Sequence, residues 1–197
     1  MEKYDIAIIG SGLVGSSLAH GLKHADKKIV LIDAKPLHPL DETKTRPISL
    51  THSSMCILKN LGLWEKLSPY ATPIQTVHVS EQAAFNAVRI RASDYELEAL
   101  GYVVPLHHLY NNLIANLHQQ ANLNVKTSVS VATLKYIQEG IELQLNNHEI
   151  IQAGLVVAAD GAQSTVRDLL NIQTTTEHCE EHVIVANLTA AHNFTAY

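Results

Sequence analysis

Residues 5–22 read DIAIIGSGLVGSSLAHGL. An apolar strand pattern, Asp5 to Ile9, passes through three glycines into a helix pattern, Leu13 to Leu22. Strand, glycine turn and helix in that order open a dinucleotide-binding βαβ unit, where each glycine has its own task. Gly10 permits the tight turn, Gly12 lets backbone approach a pyrophosphate, and Gly15 lets the helix pack close to the sheet. The helix would then direct its unpaired amides and positive dipole end at the phosphates. KKIVLID supplies a second strand ending at Asp33, near the spacing at which an acid meets an adenosine ribose. A glycine-rich turn without a ligand is the alternative; the flanking elements and Asp33 weigh against it.

The 197 residues suffice for one well-buried α/β domain, or one domain and part of another. An apolar fraction of 46% and a charged fraction of 17% are those of a globular protein. The net charge of −5 and the lack of a Lys/Arg cluster speak against nucleic acid as a partner. Cys56 and Cys179 form no CxxC pair, so neither a disulfide framework nor a redox dithiol is indicated, and a reducing, cytoplasmic compartment is expected. Met1 to Asp5 run directly into the first strand, so no signal peptide is expected. No apolar run approaches the roughly 20 residues that span a bilayer. The twelve histidines are scattered. The tightest group, His178-Cys179-Glu180-Glu181-His182, reads as a solvated loop rather than a metal site, and no metal is expected.

Residues 34–47, with Pro36, Pro39 and Pro47, read as a connecting loop. Ile48 to Leu61 has apolar residues at helical spacing, with Ser49 or Thr51 near its start and Gly62 as its stop. From Pro73 the period becomes two, giving strands Ile74 to Val79 and Ala87 to Ile90, part of an inserted antiparallel sheet. An amphipathic helix follows from Leu106, with Leu109, Leu113 and Leu117 in step. Strands Asn124 to Val131, Leu134 to Gln138 and Ile141 to Leu145 are expected to form a meander, with a further strand from His148 to Gln152. Gly154 to Asp160 reads as a buried parallel strand. A last strand spans Val183 to Ala190.

ADGAQSTVRDLL, residues 159–170, is a second glycine turn after a second strand. Gly161 allows the bend, Ser164 or Thr165 caps the helix, and Arg167 reaches back toward a carboxylate or phosphate. Taken together, GSGLVG, LIDAKP, TRPISLTHSS, the meander and AADGAQSTVR resemble the aromatic-ring flavoprotein monooxygenases. DETKTRPISLTHSS, TVHVSEQ, LGYVVPLHHLYNNL and VIVANL are similar to the ubiquinone-biosynthesis branch of that family. The resemblance extends over essentially the whole chain.

The resemblance implies an α/β, Rossmann-like FAD-binding fold with a central parallel sheet, a β-meander and part of an inserted antiparallel substrate-domain sheet. It assigns residues 1–72 and 101–180 to the FAD-binding domain, and 73–100 and 181–197 to the partial substrate-domain sheet. Gly10, Gly12 and Gly15 would hold the FAD pyrophosphate, and Asp33, where the family more often has Glu, the adenosine ribose. Arg46 matches the arginine along the pyrophosphate and ribityl chain. Asp160 and Gly161, with Ser164 and Arg167, match the family's DG turn. Leu106 stands where many relatives carry a polar or basic residue, leaving His107 as a substitute flavin contact or an exposed helix-start histidine. The family's third motif, a Gly-Asp turn on the ribityl chain, lies beyond residue 197, so the chain is expected to be an N-terminal portion that binds FAD weakly or not at all and is inactive alone.

The activity implied is hydroxylation of a polyprenylated phenol in ubiquinone biosynthesis, using FAD, O2 and NADH or NADPH. A quinone-biosynthesis complex and peripheral contact with the inner membrane face go with that substrate. No catalytic base is assigned. The alternatives are a flavin oxidase or dehydrogenase of the wider two-dinucleotide-domain group, or an inactive structural fragment.

Overall fold

A computed structural model describes residues 1–80, 87–177 and 182–185. Strand β1 (Glu2–Ile9) leads through the glycine turn into helix α1 (Leu13–Gly21) and returns as β2 (Ile29–Asp33). Next come β3 (Pro47–Thr51), α2 (His52–Asn60), α3 (Trp64–Leu67), β4 (Thr72–Ile74), β5 (Thr76–Ser80), β6 (Ala87–Arg91) and β7 (Gly101–Pro105). Helix α4 (Leu106–Ile114) precedes β8 (Leu123–Thr127), β9 (Val131–Ile137), β10 (Gly140–Leu145), β11 (Ile150–Ala158) and α5 (Thr165–Leu169).

The main sheet has the order β8-β2-β1-β11-β10-β9. Its first four strands are parallel, and β10 and β9 continue it antiparallel. Side chains alternate across it as a two-sided sheet requires. Ile8, Ile29 and Leu31 pack with Ala19 of α1 and Ile114 of α4, whereas Ala7, Ile9, Val30 and Ile32 pack with Val131, Leu143, Leu145 and Val166. A three-stranded antiparallel sheet, β3-β7-β4, carries α2, α3 and one face of α4 around Leu58, Leu67, Tyr102, Val104 and Leu113. Strands β5 and β6 pair with each other as a separate ribbon.

Several expectations are corrected. Ile48 to Leu61 is not one helix: Pro47–Thr51 is a strand paired with β7, and the helix begins at His52. Ile48 and Leu50 serve strand alternation there, packing against the second core rather than on a helix face. Thr51 caps α2 by accepting from the Ser54 amide at 3.2 Å. At the other end, Gly62 and Leu63 amides reach back to the Lys59 and Leu58 carbonyls, a Schellman closure.

The strand at 123–127 is not part of the meander; it is the outer parallel strand beside β2. Its alternation of Leu123 and Val125 with Asn124 and Lys126 imitates a half-solvated antiparallel strand. The polar members instead reach Tyr4 Oη and Glu149 Oε1, each at 2.6 Å. The meander is β9-β10-β11, and β11 unites the two strands expected at 148–152 and 154–160. Its second half is less buried than its apolar run suggests, with Leu155 52% exposed. Helix α4 ends at Ile114, before Leu117, which is buried in a separate 3-10 turn. Residues 182–185 form no strand, and the rest of the strand expected at 183–190 lies outside the described residues, as do residues 178–181 of the His/Cys/Glu group.

The Thr51 cap is exposed and isolated from the main sheet, so Thr51→Ala should cost about 1 kcal/mol. Urea denaturation is expected to show a lower midpoint with an unchanged m-value.

Candidate functional site

Strands β8, β2, β1 and β11 end at one edge of the sheet, and a cavity of about 670 Å³ lies beyond those ends. This is where an open parallel sheet collects ligands, at the point where successive strands depart to opposite sides. Ile9, Gly10 and Gly12 line the cavity from β1 and its turn, Ile32 and Asp33 from β2, and Val129 and Ser130 from the loop after β8. Asp160 and Gly161 enter from the turn after β11. The volume is that of a small-molecule site.

The three glycines differ sharply. Gly10 has φ +102°, and a Cβ there would lie 2.4 Å from the Ala159 carbonyl oxygen. A Cβ on Gly15 would lie 1.9 Å from the Gly10 carbonyl oxygen. Those two are required by the fold. A Cβ on Gly12 would meet nothing within 4 Å, so that position leaves backbone open toward the cavity. Gly12 is also the N-cap of α1 and offers no side chain to its first-turn amides.

Asp33 closes the neighbouring corner. Its Oδ2 accepts from the Ser11 amide and the Ser11 hydroxyl, both at 2.6 Å, and its Oδ1 accepts from the Lys35 amide at 2.8 Å. Burial works to raise its pKa, but the Ser11 hydroxyl, the Lys35 and Ser11 amides and the Lys35 charge outweigh that and hold the carboxyl below its ordinary range. An ionised carboxylate has about four acceptor sites, so ligand hydroxyls still find acceptors on it. Tyr110 of α4 lines the same corner. Burial pushes its phenol up, the Ser11 hydroxyl opposes this and the Asp33 charge adds to it, so the phenol stays protonated at neutral pH.

Across the cavity, Asp160 Oδ1 accepts from Ser164 Oγ at 2.6 Å and Oδ2 from the Val166 amide at 3.2 Å. Ser164 Oγ in turn accepts from the Arg167 amide at 3.1 Å, capping α5. Arg167 Nη1 donates to the Ala162 carbonyl at 2.8 Å. The DG turn is thus locked from within by its own serine and arginine.

Of the residues expected from sequence, Gly10, Gly12, Asp33, Asp160 and Gly161 meet around the cavity, and Gly15 lies one helical turn behind it. Arg46 does not join them. It is exposed before β3, and its carbonyl accepts from the Leu106 amide at 3.4 Å at the head of α4. His107 is 8% exposed, contrary to the exposed-histidine expectation, and its Nδ1 bonds Thr45 Oγ1 at 3.0 Å. Ser11, Tyr110 and Ser130 were not singled out by sequence. Ser11 sits inside the glycine run, where its pairing with Asp33 had a signal; Tyr110 and Ser130 had none without the topology. Among the described residues there is no group of three or more His, Cys, Asp or Glu suited to a metal, and no helix is long and apolar enough to cross a membrane.

Known proteins bear on this geometry. The family model described as FAD binding domain matches residues 3–196. The chain is 32% identical over 178 residues to an uncharacterized protein of Synechocystis, covering 88% of this chain and 42% of that protein. It is 30% identical over 172 residues to the 3-demethoxyubiquinol 3-hydroxylase of Escherichia coli, covering 85% and 44%. The chain therefore spans less than half the length of these curated relatives. Among solved structures, PqsL of Pseudomonas aeruginosa, a probable FAD-dependent monooxygenase, matches with a TM-score of 0.73 at 18% identity, covering 90% of this chain and 48% of that one. At that identity the likeness is one of fold.

Two variants separate ligand contact from folding. Gly12→Val should keep the native unfolding midpoint within about 0.5 kcal/mol while obstructing the cavity, whereas Gly10→Ala should lose the native fold. Comparing thermal unfolding with nucleotide binding for both checks this. For Asp33, a lowered folded-state pKa means a stability contribution that is complete above the unfolded value of about 3.9 and lost as pH falls through the folded one. The stability gap between wild type and Asp33→Asn should accordingly narrow on acidification below pH about 4, read from urea midpoints across pH.

Proposed function

The chain belongs to the FAD binding domain family, and from that premise we propose that its cavity grips the adenosine and pyrophosphate end of FAD in an aromatic-ring hydroxylase of ubiquinone biosynthesis. The observation that carries the reading is the pairing of an uncapped helix start at Gly12 with the ionised Asp33 at the end of the next strand. First-turn amides suit phosphate oxygens, and a carboxylate suits a ribose diol. Gly10 and Gly15 keep that turn tight, and Asp160 and Gly161 form the opposing wall. The DG turn with Ser164 and Arg167 favours this group over the wider flavin oxidases and dehydrogenases.

Redox chemistry, from NAD(P)H to dioxygen and ring hydroxylation, is what a bound flavin supplies. The chain's own residues orient it and exclude water. Arg46, beside the head of α4, would contact the cofactor beyond the phosphates, away from the cavity that Asp33 closes. We assign residues 1–72 and 101–180 to the cofactor-binding unit, and 73–100 with 181–197 to the substrate side. The substrate class proposed is a polyprenylated phenol, after the 3-demethoxyubiquinol in the name of the Escherichia coli relative. Such a substrate partitions into membrane, so peripheral contact at the cytoplasmic face goes with it.

FAD titration tests the cofactor reading. ADP should compete with FAD, and Gly12→Val should abolish binding; FAD binding indifferent to ADP would overturn it. Arg46→Ala should weaken FAD retention about tenfold, as loss of one charge-assisted hydrogen bond does, and unchanged retention would remove Arg46 from the site. Because this chain is expected to be inactive alone, supplying a family-length protein that carries it, loaded with FAD, with O2, NADH or NADPH and a panel of phenols tests the substrate. Ring-hydroxylated product is expected from the prenylated members, and hydroxylation confined to unprenylated phenols would refute the class.

A further inference from the structure

Between β2 and β3 the chain runs through residues 34–46 with a single 3-10 turn, Glu42–Lys44. Lys35, Pro36, His38, Pro39 and Leu40 of this segment form one side of the cavity. An irregular segment must offset the entropy of holding one position with contacts made elsewhere. Its first part is fixed by the Lys35 amide on Asp33 and by Leu37, which packs against the core between the main sheet and helices α1 and α4. Its middle is fixed by one side chain of α4. The Leu40 amide donates to Asn111 Oδ1 at 2.7 Å, and the Leu40 carbonyl accepts from Asn111 Nδ2 at 3.1 Å.

That carboxamide reproduces the two-way exchange by which residues pair between antiparallel strands. One turn earlier on α4, His107 holds Thr45 through Nδ1. Positions 107 and 111 share a helix face, and Tyr110 beside them lines the cavity. A single helix therefore supplies both a wall of the site and the fastener of the segment opposite.

We propose that Asn111 is a positioning residue that clips residues 34–46 shut beside the cavity and so limits the rate at which the nucleotide escapes. The proposal rests on the FAD reading above. Only a carboxamide presents a donor and an acceptor side by side; aspartate keeps the acceptor for the Leu40 amide and loses the donor, and alanine loses both.

Amide hydrogen exchange and FAD release, measured on wild type, Asn111→Ala and Asn111→Asp, test it. In Asn111→Ala the Leu40 amide should exchange at least tenfold faster while the Val30 and Ile8 amides are unchanged; Asn111→Asp should retain most of the protection. Release of FAD into excess ADP should be about tenfold faster in Asn111→Ala, the scale of one or two net hydrogen bonds, and intermediate in Asn111→Asp. Should Asn111→Ala not fold, Asn111→Asp alone must still release FAD faster than wild type. Unchanged Leu40 exchange overturns the clip, and faster exchange with unchanged release overturns its role in retention. Wild type that binds no FAD overturns the retention role, while Leu40 exchange still judges the clip and ADP binding still judges the nucleotide reading.

Discussion

Gly10 lies against the carbonyl of Ala159 with no room for a side chain between them, and the site depends on that approach. Strand β1 is bonded to β2 on one side and β11 on the other, so its end is the corner shared by both. The Gly10 amide donates to the Ile32 carbonyl at 2.8 Å, and the Ala159 amide to the Ile9 carbonyl at 2.7 Å. These bonds fix two turns that are distant in sequence, 10–12 and 160–161, as facing walls of one cavity. A larger residue at Gly10 would push them apart, and the cavity would lose its floor before any ligand contact changed.

Around that corner the polar groups are arranged by satisfaction within the protein first. Asp33 is engaged by Ser11 and Lys35, and Asp160 by Ser164 and Val166, so both carboxylates are oriented before a ligand arrives. Preorganisation of this kind lowers the ordering cost of binding. Gly12 and Gly161 are the exceptions, with open space where a side chain would stand. The contrast separates what is rigid in the site from what is left for a ligand to fill.

The local chemistry of the glycine turns is readable because it depends on residues close in sequence: strand, bend, helix start and the acid on the next strand. Where polar alternation had two meanings, reading failed. Asn124 and Lys126 fit a strand of the meander, yet they belong to a network with Tyr4 and Glu149 beside the parallel strand β2. Ile48 fitted a helical spacing as well as a strand, and pairing with β7 decided between them. Tyr110 was one more residue on an amphipathic helix until the packing of α4 turned it into the cavity.

By itself the sequence determined the βαβ opening, the DG turn, the amphipathic α4 and the family likeness, because these rest on backbone freedom, capping and short-range periodicity. Tertiary structure alone decided that β8 joins β2 in parallel, that Arg46 stands outside the cavity, and that His107 and Asn111 hold residues 34–46. The last of these depends on hydrogen-bond partners 62 and 71 residues apart, a separation over which no local pattern carries information. The glycines mark where a nucleotide would lie; the strand order and α4 determine what encloses it.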